Sequence, residues 1–127
     1  MTFLAPYEPQ LRSLLRIVGG LLFLHFGIAK LLHFPSVPMF AAVAPTDWPE
    51  GYAGMIELVT GAMMLLGFFS RIAAFIASGE MALGYFIAHL PKSIFPAVNE
   101  GSLAIMFCFT FLYLAAAGPG PWAINQK

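Results

Sequence analysis

The chain has 127 residues, of which 60% are hydrophobic and 9% are charged. A soluble domain is about 45–50% apolar and about 25% charged, and a chain of this size buries only about two-thirds of its surface on folding. The composition therefore excludes an ordinary soluble domain and predicts an integral membrane protein. Six Lys and Arg balance six Asp and Glu, so the charge indicates no nucleic-acid partner. The single cysteine excludes an internal disulfide and a cysteine-based metal site.

The first long apolar segment covers residues 14–34. Its length of about 20 residues is enough to cross a hydrocarbon core of about 30 Å. A cleavable signal peptide is the alternative interpretation, with the Ala-Val-Ala sequence at residues 42–44 as the cleavage site. The segment is long for the apolar part of a signal peptide, and Lys30 and His33 separate it from that site. These features favour a membrane span.

Three further apolar segments follow, separated by prolines, glycines and polar residues. The second and third are joined by a tight turn at Ser70 and Arg71, which predicts an antiparallel helical hairpin. The fourth ends at the Gly-Pro-Gly-Pro sequence of residues 118–121. The sequence thus predicts one domain over residues 1–127, an all-α integral membrane four-helix antiparallel bundle. The predicted spans cover residues 14–34, 51–69, 71–90 and 100–117.

Four spans place both termini on the same side of the membrane. The basic residues divide unequally between the two sides: Arg12, Arg16, Arg71 and Lys127 on the side of the termini, and Lys30 and Lys92 on the other. Cytoplasmic segments of membrane proteins carry an excess of Lys and Arg. The prediction is a multi-pass protein of the inner (plasma) membrane with both termini in the cytoplasm. Arg71 is then most simply an anchor at a cytoplasmic turn.

Glu57 is a carboxylate within an apolar span, where an acidic side chain costs about 2.5–3.5 kcal/mol on insertion scales. At about 1.5 Å per residue, it lies about 9 Å below the outer end of its span, and Lys30 lies about 3–6 Å below the outer end of the first. Helical side chains lean toward the N-terminus, so the two residues approach each other in antiparallel spans. His89 and Glu100 lie at the same level. The sequence therefore predicts a polar site in the outer half of the bundle formed by Lys30, Glu57, His89 and Glu100.

The helix faces of these residues support close packing. At about 100° per residue, Lys30 shares a face with two glycines of the first span, and Glu57 shares one with two glycines of the second. These glycines are Gly20, Gly27, Gly54 and Gly61. Glu80 lies near mid-membrane and points about 180° away from the face that carries His89. An acid at this depth is a functional candidate by default, and a protonated carboxyl without a function is the alternative.

Each predicted site residue also has a purely structural interpretation. Lys30 and Glu57 can form an ion pair that only holds two helices in register. His89 can bond a loop carbonyl at the interface, and Glu100 can be an acid at a helix N-terminus that the helix dipole favours. The three histidines are too scattered for a convincing metal site, so no metal is predicted.

Several short sequence elements occur in a characteristic order along almost the whole chain. They are Arg16 with Gly19, Gly27-Ile28-Ala29-Lys30, Glu57 with Gly61, Gly67-Phe68-Phe69-Ser70-Arg71, His89, and Gly118-Pro119-Gly120. This ordered set resembles the DoxX family of small four-helix membrane proteins. Two features depart from the family pattern. The tail has Asn125 where the family often has an aspartate, and Glu80 is an acid that we do not associate with the family.

The resemblance implies a function, since the family is similar to the membrane subunits of a thiosulfate:quinone oxidoreductase and some members are linked to oxidative-stress complexes. It implies that the chain is an accessory membrane subunit in quinone-linked or thiol-stress redox chemistry. If the chain is enzymatic, the resemblance implies that it is part of a quinone-linked oxidoreductase complex. Glu57 and His89 would bond a quinone head group or relay protons, and Lys30 would orient Glu57. The expected partners are the lipid bilayer, a redox partner subunit and a further copy of the chain. Two alternatives are a small proton-coupled transporter that uses Glu57 and Glu80, and a scaffold without chemistry.

Overall fold

The computed structural model describes residues 2–127, apart from the side chain of Met39, and these residues are all-helical with no β-strand. The all-α prediction is therefore confirmed. The elements are a 3₁₀ turn at Thr2–Tyr7, α1 at Glu8–Leu31, a 3₁₀ turn at Pro38–Phe40, α2 at Glu50–Leu66, α3 at Ser70–Gly84, a π-helical turn at Tyr85–His89, α4 at Pro96–Asn99 and α5 at Ser102–Ala117.

Helix ends differ from the predicted spans where a local residue dictates them. α1 begins at Glu8 rather than at residue 14, because Pro9 occupies its first turn, where a missing N–H costs nothing. α2 ends at Leu66 rather than at residue 69. Gly67 has a φ of 71°, a left-handed conformation that closes a helix. The N–H of Phe68 then donates to the carbonyl of Met63 at 2.9 Å, which satisfies one of the last carbonyls of α2.

Among the described helices, α1 and α2 share the most extensive contact. A Cβ atom at Gly27 would lie 2.5 Å from the backbone nitrogen of Leu58, and one at Gly61 would lie 2.5 Å from that of Leu24. Such distances leave no room for a side chain, so the two backbones are in direct contact. The contacts run in opposite directions along the two helices, which makes the pair antiparallel. The predicted packing of the two glycine faces is confirmed.

The core lies between this pair and the helices that follow. Ala73 and Ala77 of α3 are fully buried, and small side chains let α3 lie close to its neighbours. Phe23 of α1 reaches two rings of α5, with ring centroids 5.6 Å from Phe107 and 5.0 Å from Phe111, both in edge-to-face geometry. Aromatic packing therefore connects the first and last long helices.

The exterior is apolar over much of its length. The helical stretches Thr2–Leu31 and Ser70–His89 are long and apolar enough to cross a membrane, and α5 is a shorter apolar helix. Large side chains point outward from these helices: Leu21 is 51% exposed, Phe75 is 62% exposed and Phe109 is 63% exposed. Exposed apolar surface on this scale is stable in lipid and unfavourable in water. The structure therefore indicates a membrane protein.

An arginine holds together the end of the molecule where both termini lie. The Arg16 side chain is 1% exposed. Its Nε donates to the carbonyl of Met64 at 2.9 Å, and its Nη1 donates to that of Pro119 at 2.6 Å. Its Nη2 donates to the carbonyl of Trp122. The guanidinium thus ties α1 to the end of α2 and to the C-terminal tail.

Arg71, at the start of α3, stabilises the same end of the molecule. Its Nη1 donates to the carbonyls of Ala115 at 3.2 Å and Ala116 at 2.6 Å, and its backbone N–H donates to the carbonyl of Lys127 at 3.1 Å. A cation at the C-terminus of α5 also complements the helix dipole. The structure therefore gives the predicted turn residue a specific role in fixing the last helix and the tail.

Candidate ligand site

Four ionisable side chains meet in the half of the molecule away from the termini. Lys30 Nζ lies 2.9 Å from Glu57 Oε2 and 3.2 Å from Glu50 Oε2. Lys30 is 8% exposed and Glu57 is 1% exposed, so this ion pair is shielded from water. From α3, the carboxyl of Glu80 contacts that of Glu57. We refer to Lys30, Glu50, Glu57 and Glu80 as the acidic cluster.

The packing of α1 on α2 explains how the lysine reaches these acids. Glu50 and Glu57 are seven residues apart, which is about two helical turns, so both side chains lie on the same face of α2. Gly54 lies between them on that face. A Cβ atom at this position would be 3.0 Å from the Cβ of Lys30, so the glycine leaves room for the lysine stem. The lysine can therefore contact both acids at once.

The acidic cluster has more acceptors than donors. Glu57 Oε1 and both carboxyl oxygens of Glu80 are buried and have no hydrogen-bond donor among the described residues. Two carboxyl groups form a hydrogen bond to each other only when one of them carries a proton. A direct hydrogen bond between Glu57 and Glu80 would therefore require that one of the two carboxyl groups is protonated. Even then, the three carboxyl groups of the cluster outnumber its one lysine.

Three members of the acidic cluster, Lys30, Glu50 and Glu57, lie in the wall that two cavities share. One cavity, of about 430 Å³, lies between α2 and α3. The other, of about 460 Å³, lies between α1 and α5. Both volumes are in the range of small-molecule sites, about 300–1,000 Å³. The residues with ionisable side chains that line both cavities are Lys30, Glu50, Glu57 and His89.

The α2–α3 cavity is open on its side. Most of its lining is apolar, with Ile56 of α2 and Ile76 of α3 among the lining residues. Gly79 and Gly84 also border it, and a Cβ atom at either position would meet no atom within 4 Å. Because a side chain at either position would point into open space, a molecule in the lipid could reach the cavity between the helices.

His89 lines both cavities and is held by the last residue of the short helix α4. Its Nδ1 lies 2.9 Å from the carbonyl oxygen of Asn99. Since a carbonyl only accepts, Nδ1 carries the proton, and Nε2 of the neutral ring is an acceptor. The ring stacks on that of Tyr85 at a centroid distance of 6.1 Å. Both residues belong to the π-helical turn, a feature frequent at functional sites. The structural interpretation of His89 expects a bond to a backbone carbonyl, and the structure shows one, although Asn99 ends the short helix α4 rather than lying in a loop.

Glu100 lies apart from the acidic cluster. It is exposed, has a φ of 62°, and precedes the first residue of α5 by two positions rather than opening the helix. It lines only the α1–α5 cavity, at the same end as Lys92. Of the four residues predicted to form the polar site, the structure brings Lys30, Glu57 and His89 to the wall between the cavities and leaves Glu100 at the rim of one.

Two members of the acidic cluster were not part of the predicted site. Glu80 is expected from its sequence to lie apart at mid-membrane, whereas the structure places its carboxyl against that of Glu57. Helical periodicity gives the direction of a side chain, and it does not give the identity of the neighbouring helix. The prediction omits Glu50 because the predicted second span begins at residue 51, whereas α2 begins at Glu50. Its seven-residue separation from Glu57 is the signal that could have revealed it.

The fold and the site together define a class of protein: an all-helical membrane protein with a buried polar cluster among apolar helices. Residues 11–90 match the model of the DoxX family. The chain also aligns at 38% identity over 130 residues with a protein of Haemophilus influenzae that is described as uncharacterised, and the alignment covers 100% of this chain and 97% of the relative. The chain belongs to the DoxX family, which confirms the identification made from its sequence. No solved structure matches this chain.

The family match includes all four residues of the acidic cluster and ends before Glu100. The tail, with its departure from the family pattern, also lies beyond it. There, Asn125 Oδ1 accepts a hydrogen bond from the N–H of Phe69 at 3.1 Å, at the start of α3. An aspartate would present the same acceptor oxygen, so the asparagine preserves this contact without the charge.

Proposed function

We propose that the protein is a four-span membrane protein that binds the polar head of a quinone-type molecule at the acidic cluster. It would serve as an accessory subunit in quinone-linked or thiol-stress redox chemistry. The observation that carries the proposal is the position of the cluster: buried polar groups form the common wall of two largely apolar cavities, and at least one cavity opens sideways between helices. A molecule with an apolar tail and a polar ring fits this arrangement.

Four spans are the arrangement that the packing supports. α2 has 17 residues and α5 has 16, which at about 1.5 Å per residue gives lengths of about 25 Å and 24 Å. Both lie against the longer helical stretches and need only slight thinning of a hydrocarbon core of about 30 Å. Arg12, Arg16 and Arg71 gather at the end that holds the termini. By the positive-inside rule, that end would be cytoplasmic and the cluster would lie in the outer half of an inner membrane.

The polar groups at the cavities include a hydrogen-bond donor for the carbonyl oxygens of an oxidised quinone ring and acceptors for the hydroxyl groups of the reduced ring. Lys30 is a donor, while Glu57, Glu80 and His89 supply acceptors. The chain has a single cysteine, so disulfide chemistry within one copy is excluded, and electrons would pass to or from a redox partner subunit. The protein's contribution would be to hold the ring at a fixed depth and to exchange protons with it.

The first experiment measures binding of decylubiquinone, in its oxidised and its reduced form, to the purified protein in mild detergent. Glu57→Gln should weaken binding by about tenfold or more, because a charge-assisted hydrogen bond contributes about 1.5–3 kcal/mol. Glu8→Gln is the matched control, since Glu8 pairs with Arg12 at 3.1 Å at the opposite end of the molecule. Gly84→Leu should also weaken binding by filling the open side of the cavity. Undetectable binding of both forms, or unchanged binding by Glu57→Gln, would refute the proposal.

The contact between Glu57 and Glu80 favours a second function, a small proton-coupled transporter. Two carboxyl groups that share a proton between two cavities are a suitable arrangement for coupling proton movement to solute movement. In liposomes, this function requires a solute flux that depends on a proton gradient and is lost in Glu80→Gln. A flux that Glu80→Gln leaves unchanged would remove the carboxyl pair from the transport mechanism.

A further inference from the structure

The hydrogen-bonding groups of the acidic cluster are unequally divided between donors and acceptors. Lys30 has three N–H groups, and it already contacts Glu57 at 2.9 Å and Glu50 at 3.2 Å. These two contacts leave at least one lysine N–H free to donate. On the acceptor side, Glu57 Oε1 and both oxygens of Glu80 are buried without a donor in the described part of the chain. The cluster thus requires donors.

A shared proton does not remove this requirement. If Glu80 carries the proton and donates to Glu57 Oε1, its second oxygen is left as an acceptor. If Glu57 carries the proton, it can donate to only one of the two Glu80 oxygens. In both cases one buried oxygen of Glu80 has no donor. A buried acceptor without a partner loses the hydrogen bonds it makes in water.

The two redox states of a quinone-type molecule answer this requirement differently. The oxidised form presents two carbonyl oxygens, which only accept hydrogen bonds. Against Glu80, a carbonyl would place lone pairs against lone pairs. The reduced form presents two hydroxyl groups, each of which can donate to a carboxyl oxygen and can accept from the free N–H of Lys30. His89 supplies a further acceptor through Nε2, because its Nδ1 faces the carbonyl of Asn99 at 2.9 Å.

The position of Glu80 identifies which cavity is involved. Glu57 and His89 line both cavities, whereas Glu80 lines only the α2–α3 cavity. We propose that the α2–α3 cavity binds the hydroxyl-bearing, reduced form of an apolar ring molecule in preference to its oxidised form, with Glu80 and Glu57 as the acceptors of its hydroxyl groups. This inference rests on the proposed function, and it adds the redox state that the site selects. The molecule enters sideways past Gly79 and Gly84.

The test compares three probes under anaerobic conditions: decylubiquinol, decylubiquinone, and the dimethyl ether of decylubiquinol, which has the shape of the reduced form without its hydrogen-bond donors. The wild-type protein should bind the quinol at least about tenfold more tightly than the quinone or the ether, since one hydrogen bond to a charged acceptor accounts for a difference of this size. This comparison needs no variant, so impaired folding cannot confuse it.

Two variants then assign the preference to Glu80. Glu80→Met removes the acceptor and should reduce the quinol preference to twofold or less. Glu80→Gln retains an N–H that can donate to Glu57 and a carbonyl oxygen that can accept from the quinol, so it reproduces the hydrogen bonds of a protonated Glu80. Its quinol preference should therefore stay within a few-fold of that of the wild type, well above that of Glu80→Met.

The outcomes separate the inference from the proposed function. Equal wild-type affinity for quinol and quinone would overturn the inference while leaving a quinone-type ligand in place. Equal affinity for the quinol and its ether would overturn it as well, because the donors would then contribute nothing. A tenfold preference retained in Glu80→Met would overturn the assignment to Glu80. Absence of binding by all three probes would overturn the proposed function itself.

Discussion

Replacing Lys30 with methionine should destabilise the protein by about 3–5 kcal/mol. Lys30→Met keeps most of the side-chain volume but leaves the carboxylate of Glu57, which is 1% exposed, without the cation that lies 2.9 Å away. Breaking a buried ion pair by removing one partner costs this amount, whereas replacing both partners with apolar residues is close to neutral. The double variant Lys30→Met/Glu57→Leu should therefore recover most of the lost stability.

The free energies of unfolding can be measured by titrating detergent-solubilised protein with sodium dodecyl sulfate and following tryptophan fluorescence. The double-mutant cycle should give a coupling of about 2–4 kcal/mol between Lys30 and Glu57, well above the value for independent sites. Glu50→Gln is the matched control. It removes the second contact of the same lysine, but the Glu50 side chain is 36% exposed, so its loss should cost less than about 1 kcal/mol. Additive single effects, or a loss of under 1 kcal/mol for Lys30→Met, would refute the claim that the pair is desolvated.

Three further predictions concern the rest of the fold, and thermal unfolding in detergent checks each of them. Gly27→Ala should destabilise the protein by about 1–3 kcal/mol through overpacking of α1 on α2. Gly84→Ala should instead stabilise it by up to about 1 kcal/mol, because alanine is the better helix former and its Cβ would meet no atom within 4 Å. Equal effects of the two substitutions would contradict the packing. Arg16→Met should cost about 3 kcal/mol or more, since three carbonyls lose their donor; an unchanged melting temperature would show that the tail is held otherwise. Asn125→Ala should cost about 0.5–1.5 kcal/mol through loss of the hydrogen bond from the Phe69 N–H, while Asn125→Asp should cost little, and the reverse order would contradict the role of Oδ1.

The two polar regions of the molecule differ in a way that separates structural from functional groups. The hydrogen bonds of Arg16 are directed at backbone carbonyls of the protein itself, and the side chain is enclosed. The acidic cluster includes a cation, but beside a cavity it leaves buried carboxyl oxygens that have no donor within residues 2–127 as described. A polar group that is satisfied within the fold contributes to stability. One that lacks a partner next to a cavity indicates a place for a ligand.

Much of the fold follows from local properties of the sequence. Apolar segments of helical length predict the helices. Glycines that share one face of each helix, such as Gly27 in α1 and Gly61 in α2, predict which faces are in contact. The pairing of Lys30 with Glu57 follows from depth and side-chain direction, and the structure shows that contact at 2.9 Å. These features depend on periodicity within one helix and on one antiparallel neighbour, which the sequence specifies.

The parts that the sequence did not predict depend on the arrangement of helices that are distant along the chain. Whether Glu80 faces lipid or Glu57 depends on how α3 packs beside α2, and periodicity alone gives no information about that. The cavities result from the places where helices do not touch. The prediction places Glu100 in the site by its level in the membrane. In the structure, Glu100 has a left-handed backbone, lies two residues before α5 and is exposed.

The central claim is that the acidic cluster holds a quinone-type molecule reached from the lipid. The most direct test is ultraviolet–visible and mass-spectral analysis of small molecules extracted from the protein after purification in mild detergent from its native membrane. We expect a quinone or quinol in amounts approaching one per chain in the wild type, a marked loss in Glu57→Gln, and no loss in the control Glu8→Gln. Equal amounts in wild type, Glu57→Gln and detergent micelles prepared without the protein would contradict the account.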